Sequence, residues 1–116
     1  MKSLVVVCCF ILFDVITGVL KAIKTGTINS TIAKHGLLSK ATEILCVVGG
    51  ILLEMALPYL QITVDLPLAP AISTYISVME LISIIENMCE VNSSLSALFK
   101  PYLDKLKGKD GDAKGD

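Results

Sequence analysis

The chain has 116 residues, 53% of them apolar or aromatic before its 8 glycines are counted, and only 18% charged. That balance excludes a disordered chain, which needs low hydrophobicity and high charge, and argues against a soluble monomer, because so small a domain cannot hide so much apolar material. A net charge of −1, without Arg or Trp, lacks the basic stripe and stacking rings of a nucleic-acid binder.

The first apolar segment is Leu4–Ala22. Lys2 followed by the unbroken run Leu4–Phe13 has the outline of a signal peptide, but no small-x-small cleavage site follows and Asp14 closes the run. An uncleaved membrane anchor is the expectation. The second segment, Ile44–Val64, is interrupted by Glu54, Pro58 and Gln61. The third, Leu66–Cys89, is interrupted by Glu80, Glu86 and Asn87. About 20 helical residues cross a ~30 Å hydrocarbon layer. The alternative is a soluble bundle of buried helices, but such helices usually carry a charged outer face, and Leu4–Phe13 and Ile44–Leu53 offer none. The expected fold is therefore all-α, an integral membrane protein with three transmembrane helices. Residues 1–92 form the membrane domain, with spans at about 4–22, 44–64 and 66–89, and residues 93–116 form a cytoplasmic amphipathic helix and charged tail.

Between the first two spans, Lys21–Glu43 reads as a loop, with Gly26, Asn29, Ser30 and Gly36 as punctuation and His35 as a loop residue. It carries Lys21, Lys24, Lys34 and Lys40. The next connection, Thr63–Pro67, holds one acid and no base, and the tail is again Lys-rich. Lysines near span ends stay on the cytoplasmic side. Three spans place the first loop and the tail on one side, so the N-terminus should face out and the C-terminus in. Lys21, Lys24, Lys34 and Lys40 are the topology-determining residues. In the tail, Leu95, Leu98, Phe99, Tyr102, Leu103 and Leu106 recur at helical spacing, weakened by Pro101. Basic residues on the polar side of that helix suit a membrane surface. The Gly-rich, mixed-charge end Lys107–Asp116 is expected to be disordered.

The polar residues inside the spans fall on single helical faces. Asp14, Thr17, Gly18 and Lys21 share one face of the first span, and Glu43, Gly50, Glu54 and Gln61 one face of the second. Ser73, Ser77, Glu80 and Asn87 share a face of the third, with Ser83 on its flank. An ionised residue at mid-bilayer costs about 2.5–3.5 kcal/mol on insertion scales, so these faces should meet a bundle interior or water. Small residues at four-residue spacing, Gly18 with Ala22 and Ala69 with Ser73 and Ser77, permit close helix–helix approach. The stripes could join helices within one copy or serve contacts between copies around a wet lesion; the second is the sharper expectation. A three-helix chain is too small to enclose a wide pore alone. Cys8, Cys9, Cys46 and Cys89 form no CxxC pair and the chain has a single His, so neither a metal site nor a cofactor is expected. No nucleophile elbow, phosphate loop or HExxH pattern points to an enzyme.

Two stretches carry a family resemblance. Phe13-Asp14-Val15-Ile16-Thr17-Gly18-Val19-Leu20-Lys21-Ala22 resembles the D-x-[IL]-T-G-x-x-K-A signature of phage holins, the toxin-secretion and phage-lysis holins of Gram-positive bacteria and their phages. Glu80-Leu81-Ile82-Ser83-Ile84-Ile85-Glu86-Asn87 is similar to the family's E-x-x-S-I-x-E-N stretch, and Asn29-Ser30, Gly36-Leu37 and Lys40 look like its loop pattern. The resemblance covers about residues 10–90. It implies a protein of the bacterial cytoplasmic membrane that homo-oligomerises into lesions, collapses the membrane potential and releases an endolysin, or exports a toxin. Its implied partners are the lipid bilayer, copies of itself and an endolysin, with an antiholin as a further candidate. Asp14, Thr17, Gly18, Glu54, Glu80, Ser83 and Asn87 would then face other helices or the lesion lumen. The rival from another class is a small proton-coupled multidrug transporter built around an intramembrane carboxylate. Those proteins usually need four spans and an aromatic-flanked carboxylate, and here only Phe10 and Phe13 stand near Asp14. A soluble helical interaction module is a third reading.

Overall fold

The computed structural model describes residues 2–108. Among them are four helices: α1 Lys2–Thr25, α2 Ser30–Ala56, α3 Leu68–Val91 and α4 Ser94–Leu106, and no strand. The first three are long and apolar enough to cross a membrane. At 1.5 Å per residue they run about 36–40 Å, more than the ~30 Å hydrocarbon layer, so their ends reach the interfaces.

The first connection is much shorter than the sequence implies. Gly26 takes a left-handed φ of 66° and ends α1. Thr27 N–H donates back to Ala22 O at 3.0 Å, the six-to-one bond of a Schellman ending. Asn29 then caps α2: its Oδ1 accepts from Thr31 N–H at 2.8 Å and Ile32 N–H at 3.3 Å. The loop expected over Lys21–Glu43 thus shrinks to residues 26–29, and Ser30, Lys34, His35, Gly36 and Lys40 are helical. Once two orphan N–H groups are satisfied at Asn29, nothing in Ser30–Glu43 breaks the helix except the single Gly36.

The second span also ends earlier than expected. Helix α2 stops at Ala56 rather than running to Val64. Pro58 has no N–H with which to continue the ladder. Leu60 N–H and Ile62 N–H return to Leu57 O at 3.2 and 3.1 Å, and Gln61 reverses the chain at φ 58°. Gln61 therefore drops off the polar stripe assigned to the second span. Helix α3 starts and ends two residues later than the span read from sequence. The expectation for Lys107–Asp116 lies, beyond Gly108, outside the described residues.

The packing divides into two units: the described residues of Met1–Ile11 with Asn29–Ser77, and those of Leu12–Ile28 with Val78–Asp116. The core of the first is Val7, Ile11, Val47 and Ile76, with Leu4, Ile44, Ile51 and Ile72 packed around it. Helices α2 and α3 run antiparallel there. Gly50 permits their close approach: a Cβ on it would meet Ile72 Cδ1 at 3.1 Å and the Ala69 backbone at 3.5 Å. The second unit holds the C-terminal halves of α1 and α3 together with α4. Helices α1 and α3 run parallel in it, since Asp14 and Thr17 meet Asn87, and Lys24 meets Val91. The helices' outer faces stay apolar and open: Leu12, Phe13, Ile16 and Val19 on α1 and Leu45 and Leu52 on α2 are all exposed.

Candidate functional site

Burial follows a 3-4 rhythm along α1, through Val7, Ile11, Asp14 and Thr17, and the last two of these are polar. Along α3 the buried positions include Ala69, Ser73, Ile76, Glu80 and Asn87. Charge, hydroxyl and amide are thus buried beside Val7, Ile11 and Ile76, while Leu12, Phe13, Ile16 and Val19 face outward. This is the arrangement a bilayer demands, because lipid solvates apolar side chains and leaves polar ones to seek partners within the protein.

Three of the expected residues meet in the second unit. Asn87 Nδ2 donates to Asp14 Oδ1 at 3.0 Å and to Thr17 Oγ1 at 3.1 Å. The Thr17 hydroxyl donates in turn to Asp14 O at 3.0 Å, one turn back on its own helix. Both amide hydrogens of Asn87 and the single hydroxyl hydrogen of Thr17 are thereby used. Gly18 makes room for this: a Cβ there would stand 3.7 Å from Asn87 Nδ2. A larger side chain would push into the amide. Asp14, Thr17, Gly18 and Asn87 form one clasp between parallel helices.

The other expected residues stand elsewhere. Glu80 is 3% exposed, on the face of α3 that carries Asn87 two turns further on. Ser83 is half-buried. Glu54 is not part of the clasp. Its Oε1 accepts from Ala69 N–H at 2.8 Å in the first unit. Ala69 lies in the first turn of α3, whose N–H groups have no partner within the helix, so the carboxylate caps α3 from α2 and complements its dipole. Ser73 Oγ is buried without a hydrogen-bond partner.

Among the lysines, Lys24 Nζ donates to Val91 O at 2.9 Å. An ammonium from α1 thus satisfies a carbonyl in the last turn of α3, where cations are favoured. A carboxylate at one end of α3 and an ammonium at the other come from different helices, a pairing that the spacing of polar residues did not reveal. Lys21 and Lys40 are half-buried and Lys34 is exposed. Glu86, off the main stripe, accepts from Lys107 Nζ at 2.7 Å across to the end of α4. Sequence reasoning missed that pair, since neither partner shares a periodic face with the other. The Asn29 cap was also missed, since Asn29 and Ser30 were read as loop punctuation; the signal that could have found it is the Asn-Ser-Thr order, an Asx cap ahead of helix formers.

The clasp pairs amide, hydroxyl and carboxylate, a set suited to holding helices together. No curated protein and no solved structure matches the chain. The bacteriophage holin family matches residues 1–108. That span takes in both stretches that resemble holins and every described residue of the clasp. Family membership points to a non-enzymatic, multi-pass protein of the cytoplasmic membrane. The chain belongs to the bacteriophage holin family.

Proposed function

We propose that this chain homo-oligomerises in the cytoplasmic membrane and opens lesions that depolarise it and give an endolysin, or an exported toxin, passage to the wall. The observation that supports the reading is the placement of polarity: Asp14, Thr17, Glu80 and Asn87 are buried while the outer faces are apolar. A single copy keeps these groups satisfied internally and stable in lipid. Rearranged copies present the same groups to one another or to a water-filled lumen. Thr17, Gly18 and Ser83 add small side chains that allow close approach, and Glu54 adds a carboxylate at the end of α3. The proposed orientation is N-terminus out and C-terminus in, with Lys21, Lys24, Lys34 and Lys40 retained inside. The meeting of Lys24 with the last turn of α3 supports a shared side for the first connection and the tail. An antiholin would act by joining these same faces unproductively.

The test is inducible expression in a bacterium with membrane potential monitored, with and without a co-expressed endolysin. Abrupt depolarisation followed by lysis only with endolysin is the expected result. Continued growth at full potential, with the protein in the membrane fraction, would overturn the lytic function.

A further inference from the structure

Helix α4 has two apolar edges with different fates. Leu95, Phe99 and Leu103 are half-buried in the second unit. Leu98 and Tyr102, each 60% exposed, and Leu106 line the neighbouring edge and are open. At 100° per residue the six side chains fill one arc of about 140°. Lys100 and Lys107 border that arc on one side and Lys105 on the other.

The position of this helix relative to a bilayer follows from its two attachments. At its start only Asn92 and Ser93 separate it from α3, a reach of about 7 Å. The exposed Glu90 and the ammonium of Lys24 on Val91 O mark the end of α3 as the point where it leaves hydrocarbon. At its far end α4 is tied by Lys107 to Glu86. Glu86 lies five residues before Val91, about 7.5 Å back along α3 toward the membrane. Attached at both points, α4 lies beside the C-terminal end of α3 instead of projecting away along its axis.

We propose that α4 lies in the plane of the lipid–water interface, with Leu98, Tyr102 and Leu106 among the acyl chains and Lys105, which flanks that open edge, at anionic headgroups. The lipid surface is the occupant because the open edge is continuous with a membrane that α3 has just left. Three side chains also fall far short of the ~800 Å² per partner of a stable protein interface. The inference rests on α1, α2 and α3 spanning a bilayer and is independent of lesion formation.

The chain contains no Trp, so one substitution supplies a unique fluorophore. The full chain carrying Tyr102→Trp is reconstituted in phosphatidylcholine–phosphatidylglycerol vesicles whose acyl chains carry bromine near the headgroup or near the methyl end. Strong quenching by the shallow bromine and weaker quenching by the deep one is expected, for a side chain about 5–10 Å into the boundary. Leu98→Trp, on the same edge with Tyr102 intact, should report the same depth. Ala97→Trp, on the opposite face, should stay unquenched. Replacing phosphatidylglycerol by phosphatidylcholine should weaken the quenching of Tyr102→Trp. Absence of quenching at both edge positions would overturn the proposal. So would equal quenching at Ala97→Trp, or quenching that vanishes as protein-to-lipid ratio rises, which would reveal a second copy on the edge.

Discussion

Asn87 Nδ2 on α3 donates to Asp14 Oδ1 on α1 at 3.0 Å, 73 residues away in sequence, and both side chains are buried. The same amide reaches Thr17 Oγ1, so one side chain on α3 bridges to two groups one turn apart on α1. Interhelical hydrogen bonds in membranes average about 0.6 kcal/mol and reach about 1.7 kcal/mol. Asn87→Ala removes two and is expected to destabilise the folded chain by about 1–2 kcal/mol. Reversible unfolding in bicelles or mixed micelles measures this. A change indistinguishable from zero would show that the clasp contributes nothing to holding α1 and α3 together. Asn87→Asp should be worse than alanine, because it sets a second carboxylate against Asp14.

Gly49 and Gly50 are neighbours with opposite surroundings. A Cβ at Gly50 would meet Ile72 and the Ala69 backbone, whereas nothing lies within 4 Å of one at Gly49. Gly49→Ala should be neutral or stabilising by up to about 1 kcal/mol, since it only restricts the unfolded backbone and favours helix. Gly50→Val should cost about 1–3 kcal/mol, because its γ-methyls extend past a Cβ position already 3.5 Å from the Ala69 backbone, which cannot swing aside as Ile72 can. Thermal aggregation midpoints of the two purified variants in one detergent would separate them. Equal midpoints would contradict the close approach at Gly50.

Element number and type were legible because the spans are long, strongly apolar and separated by charge. Helical periodicity put Glu80 and Asn87 on one face of the third span and Asp14 on the polar face of the first, and all three side chains are buried. What escaped were boundaries and partners. The expected loop over Lys21–Glu43 took Gly26, Asn29, Ser30 and Gly36 as punctuation, although Ser30 and a single Gly36 are tolerated in a helix once Asn29 supplies its cap. The run to Val64 weighed apolarity above the missing N–H of Pro58. Glu54 lay on the predicted stripe, yet its partner is a backbone N–H, which no side-chain pattern displays. Lys24 and Lys107 bond to Val91 O and Glu86, both remote in sequence, so their roles depended on tertiary placement.

Glu54 combines two contributions at the start of α3 that substitutions can separate. Glu54→Gln keeps an oxygen for Ala69 N–H and removes the charge, so it should cost about 0.3–1 kcal/mol, the charge–dipole part. Glu54→Leu removes the acceptor too and should cost about 1–2 kcal/mol. Amide hydrogen exchange at Ala69 is the local readout, with protection retained in the Gln variant and lost in the Leu variant. Identical protection in all three proteins would mean that Glu54 does not cap α3.

Lysis timing tests whether the clasp belongs to the resting state. If copies exchange internal polar contacts for contacts with one another, a weaker clasp makes the exchange easier. Asn87→Ala, at expression matched by immunoblot, should therefore trigger depolarisation earlier than the unmodified chain. A loss of about 1–2 kcal/mol corresponds to roughly a 5–30-fold shift toward the opened arrangement. Gly18→Leu should act in the same direction, because its side chain would crowd the Asn87 amide across a gap of 3.7 Å. Ser96→Ala, on the exposed side of α4, should leave the onset unchanged and controls for expression. A delayed onset for Asn87→Ala would instead place Asn87 in contacts that the lesion itself requires, and an unchanged onset would remove the clasp from the trigger.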